Sequence, residues 1–101
     1  MTSHISPESL LDLIIDGESE MDHQDLRIWD LIKFEPSLWS HEEMGQVWAV
    51  GLTGSRVIWH DHWEDGFNIS KWEKTKVLNE WYSCPCDLSK SIRVIRAWID
   101  Q

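Results

Sequence analysis

Gln46 to Ser70 reads QVWAVGLTGSRVIWHDHWEDGFNIS, and its alternation decides the fold class. Between Gln46 and Leu52, Trp48, Val50 and Leu52 fall on one side of an extended chain, with Val47 and Ala49 on the other. Thr53-Gly54 is a turn signal, and the run Arg56 to His60 after it is rich in branched and aromatic residues. Asp65-Gly66 marks a second turn before Phe67-Asn68-Ile69-Ser70. A fourth strand is predicted over about Lys76 to Tyr82. The short joins suit an antiparallel meander of four strands. Such a meander keeps an edge strand through which a second copy could pair.

Upstream the apolar period changes to that of helices. Ser6 is placed to cap a first helix, Pro7 suits its first turn and Glu8 complements its positive end. Leu10, Leu11, Ile14 and Ile15 form its apolar stripe, and Gly17 is expected to stop it. A second helix is predicted from Met21 or Asp22 to Lys33, ended by Pro36, with Met21, Leu26, Trp29 and Ile32 on its buried face. Pro36 to Met44 reads as a connection. Downstream, Cys84-Pro85-Cys86 reads as a loop, and Asp87 or Ser89 caps a last helix running to about Ile99. Its apolar positions Leu88, Ile92, Ile95, Trp98 and Ile99 recur at helical spacing. The expected order is ααββββα over residues 1–101 as a single domain: an α+β fold with helices packed on one face of the sheet.

Composition narrows the function. The chain has 101 residues, with 18 Asp or Glu against 9 Lys or Arg, a formal charge of -9. A length near 100 residues suits one domain and leaves no room for a separate cofactor fold. With 42% apolar and 27% charged residues, the chain is neither disordered nor membrane-spanning. The negative charge disfavours direct binding of nucleic acid or of anionic membranes, both of which need cations, and favours a basic protein partner. The charge is also asymmetric. Met1 to Gln46 holds eleven acidic and two basic residues, whereas Val47 to Gln101 holds seven of each. One strongly negative face is expected. Part of the acidity has a structural reason, because Glu18, Glu20, Asp22 and Asp25 flank or occupy the start of the second helix. Leu13-Ile14-Ile15 is too short an apolar run for a signal-peptide core, and Cys84 and Cys86 lie too close together for a secreted disulfide framework. A cytoplasmic location is expected.

Catalytic constellations are sparse. His60-Asp61-His62 places two imidazoles on alternate strand positions, but the local sequence supplies no third zinc ligand, and Cys84 and Cys86 lack the usual finger spacing. There is no G-x-S-x-G, no H-E-x-x-H and no phosphate-cradling glycine loop. Glu64-Asp65 reads as a solvated pair beside a turn. No enzyme activity, metal or cofactor is expected.

The 8 Trp divide into two groups. Trp29, Trp48, Trp81 and Trp98 sit in apolar patterns and are core candidates, while Trp39, Trp59, Trp63 and Trp72 have more polar neighbours. Trp59 to Asp65 mixes two indoles with three acids, a composition suited to gripping Arg or Lys by cation–π contact and ion pairing.

Val57-Ile58-Trp59 through Glu64-Asp65-Gly66-Phe67-Asn68-Ile69-Ser70, then Glu80-Trp81-Tyr82 and a terminal helix, resembles small acidic Trp-rich bacterial proteins. In size and charge the chain also looks like the immunity proteins of bacterial toxin systems. That likeness implies a cytoplasmic inhibitor that masks a cognate toxin, commonly a nuclease with a basic active-site cleft. On this reading Glu18, Glu20, Asp22 and Asp25 steer association, and Asp61, Glu64 and Asp65 around Trp59 and Trp63 form the contact centre. The alternative is a phage- or plasmid-encoded inhibitor that presents phosphate-like charge to a host nucleic-acid-binding complex.

Overall fold

The alternating segment forms the strands that its pattern predicts, but the sheet is larger than four strands and it closes. The structure is a computed structural model that describes residues 4–81 and 87–99, with the backbone alone for 79–81. Its elements are α1 (Pro7–Ser19), α2 (His23–Ile32), β1 (Lys33–His41), β2 (Gly45–Thr53), β3 (Arg56–Asp61), β4 (Gly66–Glu73), β5 (Lys76–Trp81) and α3 (Leu88–Ile99). Sequential strands pair antiparallel, and β1 pairs with β5 in parallel through Ser40 opposite Lys76 and His41 opposite Val77. The result is a closed five-stranded barrel. In an up-and-down meander strand direction alternates, so the first and fifth strands run the same way and closure must be parallel. Closure also removes the open edge expected of a four-stranded meander.

The strand missing from the sequence-based order is β1, which occupies the expected connection from Pro36. Proline lacks an N–H donor and argues against a regular strand. The chain resolves this by an irregularity: Lys33 pairs with Gly51, the next pair is Ser37 with Ala49, and Pro36 lies between them, where the ladder is interrupted.

Two cores result from the two faces of the strands. Inside the barrel lie Trp39, Met44, Val47, Ala49, Val57, Trp59 and Val77. Outside it, Val50, Ile58, Phe67 and Ile69 meet Leu10 and Ile14 of α1, Trp29 of α2, and Leu88, Ile92 and Ile95 of α3. Burial of each such side chain contributes about 1.5–3 kcal/mol. A register shift between Ala49 and Gly51 leaves Val50 as the extra residue against β3. Leu52 therefore opposes Val57 and packs with the barrel core, instead of sharing the face of Trp48 and Val50 as strict alternation predicts.

The helix starts follow the sequence. The Ser9 N–H donates to Ser6 Oγ (3.2 Å), and the Lys90 N–H donates to Asp87 Oδ1 (3.0 Å), so Asp87 rather than Ser89 caps α3. Gly17, however, does not end α1, which continues to Ser19. A Cβ at Gly17 would stand 2.6 Å from Leu88 Cβ, so glycine is there to let α1 and α3 approach. Tyr82 and the Cys84-Pro85-Cys86 loop lie outside the described residues.

Candidate protein-binding face

Among the four acids proposed to steer association, three are tied up by this chain. Asp22 caps α2: its Oδ1 accepts from the Asp25 N–H (2.9 Å), while the Asp22 N–H donates back to Asp25 Oδ2 (3.5 Å). The pair is a capping box. Arg96 of α3 donates through Nη1 to Asp22 Oδ2 (3.1 Å) and to Asp25 Oδ1 (3.1 Å), and Arg93 Nε stands 3.6 Å from Asp25 Oδ2. The Asp25 N–H bond and the Arg96 guanidinium hold the Asp22 carboxyl below its ordinary range. Asp25 is fully buried and cannot reach a partner. Glu18 accepts from Trp29 Nε1 (2.8 Å) and lies 3.9 Å from Lys33 Nζ. Glu20 is exposed; its backbone N–H donates to the Gly17 carbonyl (3.1 Å), and its own carbonyl accepts from Arg93 Nη2 (3.4 Å).

The proposed contact centre also divides. Trp59 is 0% exposed and Asp61 1%, both inside the barrel, so neither is available to a partner. The Trp59 Nε1–H donates to Ser70 Oγ (3.0 Å), which satisfies the indole in the core. Asp61 organises the β3–β4 turn from within. Its Oδ1 accepts from the N–H groups of Trp63 (2.9 Å) and Glu64 (3.1 Å), and its Oδ2 from Asn68 Nδ2 (2.9 Å). These bonds hold the chain so that Trp63 projects outward, 63% exposed, beside exposed Glu64 and Asp65. Asp65 has φ 55, a left-handed conformation that Asp tolerates better than most residues, as the Asp-Gly signal implies.

The other tryptophans show why sequence polarity misleads here. Trp39 is buried in the barrel with Trp59, and Trp72 packs against that core. The sequence neighbours of an indole on a strand point to the opposite face, so their polarity says nothing about what the ring touches. Trp29 is buried as expected, Trp48 and Trp98 are half-buried, and the Trp81 side chain lies outside the description.

What the fold brings together is a groove of about 410 Å³ between α1, the β3–β4 turn and the start of α3. Asp16 of α1, Glu20 at its C-cap, Asp65 of the turn and Asp87 before α3 line it, and among the described residues no lysine or arginine does. Leu13, Phe67 and Leu88 supply its apolar part. The acidic helical segment and the strand-turn patch thus share a face, through Glu20 and Asp65. Asp16 was legible as a neighbour of Glu20, since residues four apart on a helix share a side. Asp87 was legible only as a cap; its approach to the groove is tertiary.

Three imidazoles lie behind this face. His41 Nδ1 accepts from the N–H groups of Glu43 (3.0 Å) and Met44 (3.1 Å), and its ring centroid is 4.8 Å from that of Trp59. His60 packs edge-on against Phe67, with Nε2 at 3.5 Å from Asp65 Oδ1. His62 lies in the turn beyond β3. Burial pushes all three pKa values down, against the opposing pull of Glu42, Glu43 and Asp61 on His41, Asp65 and Asp61 on His60, and Asp61 on His62. His62 adds to the depression at His41 and at His60, and His4 adds to it at His62. Among the described residues no three His, Cys, Asp or Glu side chains converge to hold a metal.

A pH dependence follows from these shifts. Below its ordinary pKa near 6.5 each histidine binds a proton more readily in the unfolded chain, so stability falls as pH drops through that value. Each contributes at most about 1.4 kcal/mol per pH unit. The lowered carboxyls of Asp22 and Asp87 act elsewhere, with their contribution present above about pH 4 and lost below it. Urea midpoints should therefore decline between pH 7.5 and 5.5. A flat profile would show that the imidazoles accept protons equally well in both states.

Comparison with known proteins found no matching family model, no matching curated protein and no matching solved structure.

Proposed function

We propose that this chain is a non-catalytic inhibitor of a basic protein, an immunity protein that neutralises a bacterial toxin domain in the cytoplasm, with a nuclease as the favoured target. Occlusion is the mechanism: the acidic face docks on the basic active-site cleft and excludes nucleic acid. The observation that supports this most is the groove, whose described lining residues include acids from three separate chain segments and no lysine or arginine. Lys90 and Arg93 act on Asp87 electrostatically, and a basic surface would relieve the repulsion left among the other acids. Exposed Trp63 beside it supplies an apolar anchor of the kind that governs dissociation, while the carboxylates govern encounter.

The test combines Glu20→Lys, Glu64→Lys and Asp65→Asn in one variant and uses a nuclease domain encoded beside this chain. Equimolar wild-type protein is expected to suppress cleavage of plasmid DNA. The variant should inhibit about 100-fold more weakly with a thermal midpoint within about 2 °C of wild type. Undiminished inhibition by the variant would take this face out of the interface.

A further inference from the structure

We propose that a second, apolar groove, between α1 and β1, is the docking site of a basic amphipathic helix presented by a partner protein. It shares no lining residue with the acidic groove, and its chemistry does not depend on the inhibitory reading above. Pro7, Leu10 and Leu11 of α1 line it on one side, with Glu35 and Pro36 of β1 and Trp48 of β2 on the other. Its volume of about 220 Å³ is below the roughly 300–1,000 Å³ of small-molecule sites, which suits the side chains of a docked segment better than a cofactor. Apolar surface continues past it. Leu11 is 55% exposed, and Ile15, one turn further along α1, is 51% exposed. Leu38, which faces Trp48 across the β1–β2 ladder, is 37% exposed. Large apolar side chains left open side by side mark interaction surfaces, whereas single scattered ones do not.

Charge selects the occupant. Glu8 and Asp12 lie three or four residues from Leu11 and Ile15, so they border the apolar stripe on α1, and Glu35 borders it from β1. Among the described residues none of these three acids makes an ion pair. Lys33, two residues before Glu35, is already held by Asp30 (3.0 Å) and Glu18 (3.9 Å). An apolar strip between acidic margins complements an apolar strip between cationic ones. The form of the occupant follows from the lining. Extended peptides are bound through the backbone of a sheet edge, but this groove offers side chains of a helix and of two paired strands, the setting in which an amphipathic helix lays its apolar face. A second copy has no such helix to give among its described residues. Its cationic helix, α3, buries Leu88, Ile92 and Ile95 in the core and commits Arg93 and Arg96 to Asp25 and Asp22.

The experiment titrates the full isotope-labelled chain at low salt with an amphipathic leucine–lysine helix of about 14 residues, or four turns. A scrambled isomer without the apolar stripe and a leucine–glutamate counterpart serve as comparisons. Saturable shifts are expected at the Leu11, Ile15 and Leu38 amides and at the Trp48 indole N–H, with a Kd on the order of 50 μM. Both comparison peptides should bind about 10-fold more weakly. Leu11→Ser with Ile15→Ser should weaken binding about 10-fold. Asp12→Lys with Glu35→Lys should do so by about the same factor, with the difference shrinking as salt is added. All four side chains are exposed, so both variants should keep the thermal midpoint to within about 2 °C. Shifts confined to Gly66 and Phe67 of the acidic groove, equal binding of the scrambled peptide, or undiminished binding by either variant would overturn the proposal. So would dimerisation of the free chain that Leu11→Ser with Ile15→Ser abolishes, because the occupant would then be a second copy.

Discussion

Trp59→Ala is expected to lower the free energy of unfolding by about 4 kcal/mol and the thermal midpoint by roughly 20 °C. The indole is fully buried at the centre of the barrel, opposite Ala49 on β2 and Asn68 on β4, with the His41 ring against it. Alanine leaves a cavity that a closed barrel, fixed by strand pairing on every side, has little freedom to fill. It also strands the Ser70 hydroxyl, which now accepts from the indole N–H. Trp59→Phe keeps most of the ring volume and loses the hydrogen bond, so its cost should be about 1–2 kcal/mol. Urea denaturation of both variants separates the two contributions. A Trp59→Ala protein with an unchanged midpoint would mean that this side chain lies at the surface after all, where sequence reasoning placed it.

Asp25→Ala should destabilise by about 3 kcal/mol, or roughly 10–20 °C. One buried carboxylate closes the capping box of α2 and receives Arg96, with Arg93 close by, so it pins α2 to α3. Its removal frees the N-terminus of one helix and detaches it from the other. Because Asp25 and Arg96 belong to one network, the double replacement Asp25→Ala with Arg96→Ala should cost less than the two single losses added together. Strict additivity in a denaturation cycle would show that the ion pair carries no coupling. Both variants test residues whose charge or aromaticity suggested partner binding, and both are expected to report on folding.

Local signals in the chain were read well because they act locally. Ser6 and Asp87 cap the helices that follow them, and Thr53-Gly54 and Asp65-Gly66 turn the hairpins, since each effect spans only a few residues. The strand β1 was missed because Pro36 argued against it, and the irregularity that accommodates proline exists only once β2 lies alongside. Gly17 illustrates the same limit. A glycine late in a helical pattern looks like a stop, while its reason here is Leu88, a residue on another helix.

The candidate face was half legible. Glu20, Trp63, Glu64 and Asp65 are exposed, and two of them line the groove. Trp59 and Asp61, in the same short stretch, are buried.

Sequence alone determined the α+β class, the existence of β2 to β4, the helix starts and the concentration of acid in the first 46 residues, because periodicity, capping and charge are properties of neighbouring residues. Tertiary structure alone decided the rest. Barrel closure by β1 and β5 made one strand face an interior and so buried Trp59 and Asp61. Packing of α3 brought Arg96 to Asp22 and Asp25 and turned two apparent steering charges into a structural clamp. The same packing brought Asp87 beside Asp16, Glu20 and Asp65. A carboxylate becomes a cap, a clamp or a docking charge according to what lies opposite it, and here that partner is contributed by a distant part of the chain.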